Sequence, residues 1–389
     1  MTQKPIQSIS FPEPPAKILI IKPSALGDIV HTLPFLAAVR ATFPAAEIHW
    51  VVARGLHTFL EGHPMISRLW IMEKEKWKQL SRFRKSIQEI NAFRKELAGE
   101  HFDVSIDLSG LLRSGLITFA AGARYKLGFS DSDEGSPFFY THKVEGGRQI
   151  HAIDRYLKLA ALMGCDTSHV SHPMPPYPAD SPLLSSLPEH FCIIAPSAGK
   201  EANRWPADRF GELAARLPLP SVVISSKADA GVVEAVVAAS KGMAIDMAGK
   251  TGLKELVALI ARSRFLISND TGPMHIAAAL GVPVFAIFGP ANPIRTGPYG
   301  TQAMDGPVSL APGKDKERPQ AMDGPVSLAP GKDKERPIHT IIQERLDCIP
   351  CYRQKPCQNW ACMKNLSVEK VRQEIVKRGF ISEQANLES

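Results

Sequence analysis

Apolar residues in this chain fall into short continuous runs, separated by stretches where they recur every three or four positions. The runs predict buried strands and the recurrences predict amphipathic helices. In the first half the runs lie at 18–21 (ILII), 47–52 (EIHWVV) and 104–108 (VSIDL), and helical patterns occupy 29–42 and the segment 74–95. This alternation predicts an α/β fold with a mostly parallel sheet. Residues 171–188, SHPMPPYPADSPLLSSLP, are rich in Pro and Ser and predict neither element, so they read as an interdomain linker. A second alternation follows, with strands at 191–195, 221–225, 264–268 and 282–288 and helices at 207–217, 231–240, 253–261 and 273–280. Two such domains are expected to bind ligands at the carboxyl ends of their strands.

Composition agrees with two cores of middling size: 389 residues, 44% apolar and 22% charged. No apolar run approaches the roughly 18 residues of a membrane span. The opening MTQKPIQSISFPEPPA has one lysine and no continuous apolar run, so it does not read as a signal peptide and a cytoplasmic location is expected. The net charge of +7 is spread over both halves and points to no nucleic-acid partner. The densest cluster is 74–95, with eight basic residues against Glu75 and Glu89, and with Trp77, Leu80, Phe83, Ile87 and Ile90 at helical spacing. Two readings stand: a core helix with a solvated basic face, or a surface that docks on anionic lipid or an acidic glycolipid. The segment 302–319, QAMDGPVSLAPGKDKERP, recurs letter for letter at 320–337, as a recent duplication or an assembly artefact would, and is expected to form a solvated loop.

Three stretches carry candidate chemistry. In IIKPSALGDIVHTLP the first strand ends at Lys22, a small-residue turn follows, and Asp28 stands where a helix opens. Asp28 is there either as the helix N-cap or as a carboxylate offered at the crevice. In SNDTGPMHIAAALG a strand delivers Asp270, then Thr271 and Gly272 open a helix carrying His275 one turn in, an arrangement that suits phosphate or is a plain capping turn. In PSAGKEANRWPADRF a glycine-containing loop presents Lys200 and Arg204, two cations suited to a diphosphate. Near the C-terminus Cys348, Cys351, Cys357 and Cys362 are spaced C-x2-C-x5-C-x4-C; they could close on a structural zinc or stand as free thiols.

Taken in order, KPSALGDIVHTLP, IDLSGLLRS (106–114), NRWP (203–206) and SNDTGPMHIAAALGVPVFAIFGP (268–290) resemble glycosyltransferase family 9, the ADP-heptose:lipopolysaccharide heptosyltransferases. The resemblance implies a GT-B fold, two Rossmann-like domains facing across a cleft, with residues 1–178 binding the acceptor and 189–389 the nucleotide sugar. It implies that Asp28 is the general base, that Lys22 and Arg113 lie on the acceptor side, and that Lys200, Arg204, Asp229, Asp270, Thr271, Gly272 and His275 serve the donor. It implies a lipid A–Kdo core glycolipid as acceptor and peripheral association with the cytoplasmic face of the inner membrane. The chain departs from the family pattern at Asn203, where a lysine is usual, at Ser109 in place of Gln, and at Asp133 in place of Arg.

The expected reaction is inverting transfer of heptose from ADP-heptose to a core sugar hydroxyl, with no cofactor and no catalytic metal. A transferase of another nucleotide sugar, or a GT-B-like epimerase that needs no acceptor, is one alternative. A glycan-binding protein without turnover is the other. A nicotinamide dehydrogenase is disfavoured because no Gly-x-Gly-x-x-Gly follows the first strand.

Overall fold

A computed structural model describes residues 6–73, 83–300, 339–351, 357 and 359–382. The tandem repeat and the 74–82 part of the basic segment lie outside the described residues. The chain divides into two compact units, Met1–Pro176 and Tyr177–Ser389.

The first unit is built on six strands: β1 (Lys17–Ile21), β2 (Glu47–Ala53), β3 (Arg68–Met72), β4 (Val104–Asp107), β5 (Tyr125–Phe129) and β6 (His142–Val144). They pair in the order β3-β2-β1-β4-β5-β6, and every pair is parallel. β1 and β4 are central and buried on both faces: Ile18 to Ile21, Val104 and Ile106 are essentially without solvent exposure, and Ser105 and Asp107 of β4 are buried among them. Each such side chain contributes about 1.5–3 kcal/mol of burial free energy. The register Ile18↔Val104 to Ile21↔Asp107 brings the carboxyl ends of β1 and β4 side by side.

The second unit repeats the plan with β7 (Cys192–Ala195), β8 (Ser221–Val223), β9 (Ala244–Asp246), β10 (Leu266–Asn269), β11 (Val284–Phe288) and β12 (Thr340–Gln343). Their order, β12-β11-β10-β7-β8-β9, is again doubly wound and parallel throughout. The chain then turns back through the helix Val368–Lys377, whose Val368, Val371 and Ile375 join Trp205, Phe210 and Phe265 in one core. Two α/β units of Rossmann type are therefore present, the fold class expected of the sequence.

Several boundaries differ from expectation. The segment read as an unstructured linker contains a helical turn, Pro182–Ser185, with Leu184 and Leu187 buried, and Arg262 bonds to the carbonyls of Leu184 and Pro188. Two leucines among the prolines supply enough apolar surface to dock it. The described part of the basic segment is the helix Phe83–Ala98, which packs Phe93 and Leu97 against Trp70, Phe102 and Ile117 and leaves Arg84, Lys85, Arg94 and Lys95 exposed. No described helix is long and apolar enough to cross a membrane.

Candidate functional site

In a doubly wound sheet the crevice opens where the chain reverses its direction of winding, here between β1 and β4 and again between β7 and β10. All three candidate stretches leave one of these four strands.

At the first switch point Lys22 follows β1 directly and is buried at 5% exposure. Its ammonium donates to the carbonyl of Leu108 at 3.1 Å, stands 3.5 Å from Asp28 Oδ1 and lies 4.9 Å from the centre of the Tyr156 ring. Burial opposes its charge, but the attraction of Asp28, Tyr156 and Asp107 outweighs that and Lys22 is raised above the ordinary lysine value. The Trp50 indole N–H donates to the Lys22 carbonyl at 3.1 Å and the Ala53 N–H to the Pro23 carbonyl at 2.9 Å, so β2 fixes the turn.

The helix opens at Leu26, earlier than the sequence pattern suggested, and its N-cap is Ala25. Asp28 is therefore at the third helical position and not the N-cap. Its Oδ2 accepts the Ala25 N–H at 3.0 Å, the carboxylate half of a capping box, while Oδ1 accepts the Tyr156 hydroxyl at 3.2 Å. The two readings thus merge, because one oxygen secures the helix start while the side chain stays 41% exposed. Tyr156, from the helix Ala152–Leu162, is buried and pushed up to about 12, by burial first and then by the negative charge of Asp28. The sequence reading missed Tyr156; it lies 128 residues from Asp28, and no local pattern couples the two.

β4 ends in Asp107, which is fully buried. It accepts the backbone N–H groups of Ser109 at 2.8 Å and Gly110 at 3.0 Å and the Tyr140 hydroxyl at 2.7 Å. Burial raises both its carboxyl and the Tyr140 phenol above their ordinary values. Gly110 sits at φ +67° with its missing Cβ aimed at Ser132, and Gly128 lies flat under the Tyr140 ring, so neither position has room for a side chain. Ser109, one departure from the family pattern, is held by Asp107. Asp133, another, pairs with Arg148 at 2.7 Å, and the neighbouring Asp131 pairs with Arg155 at 2.7 Å. Arg113 is exposed in the first turn of the helix Leu112–Ala120.

At the second switch point β10 ends in Asn269, fully buried, whose side chain accepts the Trp205 N–H at 3.1 Å and donates to the Pro196 carbonyl at 2.6 Å. This residue, which the sequence reading also passed over, ties the two donor stretches together. Thr271 is the N-cap of the helix Gly272–Ala279 without making a side-chain capping bond, Gly272 opens that helix, and His275 is buried in its first turn. Asp270 lies 3.4 Å from the Asn203 amide, at the position where the family pattern has lysine. Arg204 donates to the Ala198 carbonyl at 2.8 Å and meets Asp229 at 3.4 Å, and the Ser226 hydroxyl donates to Asp229 at 3.0 Å. Arg204 and Asp229 are thus brought together as a pair, while Lys200 is exposed at the start of the loop turn.

Cys348, Cys351, Cys357 and Cys362, whose spacing suggested either a structural zinc or free thiols, are joined by no disulfide; Cys348 and Cys357 are exposed and Cys362 is buried, and no group of His, Cys, Asp or Glu among the described residues is arranged to hold a metal ion. Burial, reinforced by Cys351, Cys348 and Cys357, pushes the Cys362 thiol up to about 11, so it stays protonated near neutral pH.

The chain is similar along most of its length to proteins of known activity. It is 26% identical over 310 residues to the lipopolysaccharide core heptosyltransferase OpsX of Haemophilus influenzae, covering 77% of this chain and 86% of the relative. It is 27% identical over 297 residues to lipopolysaccharide heptosyltransferase 1 of Escherichia coli K12, covering 74% and 92%. Its fold matches the solved structure of E. coli heptosyltransferase WaaC with ADP at a TM-score of 0.63 and 25% identity, over 73% of this chain and 91% of that one. Residues 90–324 match the model of glycosyltransferase family 9 (heptosyltransferase), more than half of the sequence, and this chain belongs to that family of GT-B enzymes.

Proposed function

We propose that this enzyme transfers heptose from ADP-heptose, with inversion, to a sugar hydroxyl of the lipopolysaccharide inner core, and that Asp28 is its general base. The observation that carries the assignment is the state of Asp28: secured by the Ala25 N–H, the Tyr156 hydroxyl and the charge of Lys22, yet 41% exposed at a sheet switch point. The heptosyltransferase relatives, and the ADP in the WaaC structure, support the sugar and the nucleotide.

In this scheme the acceptor hydroxyl gives its proton to Asp28 as its oxygen attacks the anomeric carbon. The bond from that carbon to the diphosphate breaks, and ADP leaves with the electron pair. The Lys22 ammonium stands beside the carboxylate and Tyr156 fixes its orientation. The leaving diphosphate is met by the N-terminus of the Gly272–Ala279 helix with Thr271, and by Lys200; the Arg204–Asp229 pair lies beside them and receives the nucleoside. His275 and Asp270 shape that helix start. The acceptor is a lipid A–Kdo type glycolipid, so the enzyme works peripherally at the cytoplasmic face of the membrane.

A transfer assay crossing several nucleotide sugars with truncated core glycolipids tests this reading. Heptose appearing on the glycolipid from ADP-heptose alone is expected. Sugar interconversion without an acceptor, or nucleotide-sugar binding with no turnover, would overturn it.

A further inference from the structure

The helix Leu112–Ala120 is inside out. Helices on a parallel sheet ordinarily bury their apolar stripe. This one buries Ser114, Gly115 and Thr118 and exposes Leu112 (45%), Leu116 (49%) and Phe119 (59%), which recur at i, i+4 and i+7 on a single face. The buried hydroxyls are satisfied within the helix, Ser114 donating to the Leu111 carbonyl at 2.8 Å and Thr118 to the Ser114 carbonyl at 2.9 Å. Gly115 lets the turn Ser136–Phe139 pack directly on the helix, with the Phe139 ring against it and 6.1 Å from the Phe119 ring. Beside Phe139, Phe138 is 91% exposed. Of the six large hydrophobic residues exposed among the described residues, four belong to this one patch. A fifth, Ile87, is on the helix Phe83–Ala98 that packs alongside.

We propose that this outward face, with Phe138, is the surface by which the enzyme seats on an anionic lipid bilayer. The charge around it selects that occupant. On the Phe83–Ala98 helix Arg84, Lys85, Arg94 and Lys95 outnumber Glu89 and Glu96, and Arg113 and Arg124 are exposed at the two ends of the apolar stripe. Leucine and phenylalanine flanked by cations match acyl chains beneath anionic headgroups. A second copy of this chain would bring cation against cation, at a net charge of +7 each. The helix also starts at the carboxyl end of β4, where the Leu108 carbonyl accepts the Lys22 ammonium. The patch and Asp28 therefore share one edge of the sheet, so a glycolipid anchored under the patch presents its sugar on the side where the carboxylate lies. This inference rests on the lipid-linked acceptor of the proposed function.

The test uses the full chain, sedimented with vesicles of zwitterionic lipid with or without phosphatidylglycerol and containing no glycolipid. Wild type should partition to the anionic vesicles, and the triple variant L116Q/F119Q/F138S should lose about tenfold or more of that partition. F138S alone, at a fully solvated position, should lose a measurable part and guards against misfolding of the triple variant. Transfer to a deacylated, soluble acceptor should be unchanged in both, while transfer to the same glycolipid held in vesicles falls with the partition. Equal partition of wild type and triple variant would overturn the proposal, as would a wild-type dimer that the triple variant dissolves without any vesicle binding. Loss of partition in the triple variant, with no heptose transfer by either protein, would support the surface while overturning the heptosyl reading.

Discussion

Asp107 and Asn269 occupy the same place in the two units, the last residue of the fourth strand, and both are fully buried. Each holds the loop that forms its switch point, but with opposite chemistry. Asp107 only accepts, from two backbone N–H groups and a phenol, and its negative charge helps keep the buried Lys22 ammonium charged. Asn269 accepts on one side and donates on the other, clasping the Trp205 N–H and the Pro196 carbonyl without a charge. The difference follows what each edge has to present. Under the proposed function the first unit exposes a carboxylate with a cation behind it, and the second offers its helix start to the diphosphate, which a buried negative charge there would repel.

The largest effect expected is on the carboxylate itself. Asp28→Asn keeps the capping acceptor but removes basicity, so turnover should fall by about 10²–10⁴ with ADP affinity and melting temperature nearly unchanged. Near-normal turnover in that variant would sink the assignment. The mirror experiment is Thr271→Ala with Lys200→Gln in the second unit, which should weaken ADP binding, read by calorimetry, and leave the geometry around Asp28 intact. If the two sets affected the same parameter, the division of labour between the units would be wrong.

Exchanging the clasps sharpens the comparison. Asn269→Asp loses the donor to Pro196 and sets an unpaired charge against a carbonyl, at a cost of about 3 kcal/mol or more. Asp107→Asn retains one oxygen for the Ser109 and Gly110 N–H groups and can turn its amide toward the Tyr140 oxygen, at about 1 kcal/mol. Urea melts of the two variants should show this asymmetry, and equal losses would mean that the two positions are interchangeable spacers.

A smaller effect is expected at Tyr156. Tyr156→Phe keeps the ring over Lys22 but removes the hydroxyl that donates to Asp28 Oδ1, so kcat should drop about tenfold with the KM for ADP-heptose unchanged. Lys22 and Tyr156 are both raised in the folded protein, so the folded state holds protons that the unfolded chain releases. Their contribution to stability is complete below about pH 10, the ordinary range of the two groups, and is lost as pH climbs through the raised values. Melting temperature should be level in this respect from neutral pH to about 9 and then fall, less steeply in Tyr156→Phe.

How much of this was legible in the sequence depended on burial. β1, β2, β4, β7, β8, β10 and β11 were recognised because most of their residues are buried on both faces, leaving short, largely apolar runs. The four strands at the sheet edges, β3, β6, β9 and β12, and the interior strand β5 were missed. All five are only partly buried, and His142–Val144 and Ala244–Asp246 are also short, so polar and apolar residues mix and the signal fades. The helix Leu112–Ala120 escaped for the reverse reason: its apolar stripe faces away from the core.

The sequence alone determined the alternation of strands and helices, hence two mostly parallel α/β domains, its motifs resembled a family of Rossmann-like fold, and they marked Lys22, Asp28, Asp270, Thr271 and Gly272. Local motifs are readable because strand end, turn and helix start are set by neighbours within a few residues. Only the tertiary structure decided what stands behind those motifs: Tyr156 on Asp28, Asp107 near Lys22, Asn269 between Pro196 and Trp205, and Arg204 against Asp229. These pairs join residues 25 to 128 positions apart. Strand order brings them together, and a side chain's partner across a sheet leaves no periodicity in the chain that carries it.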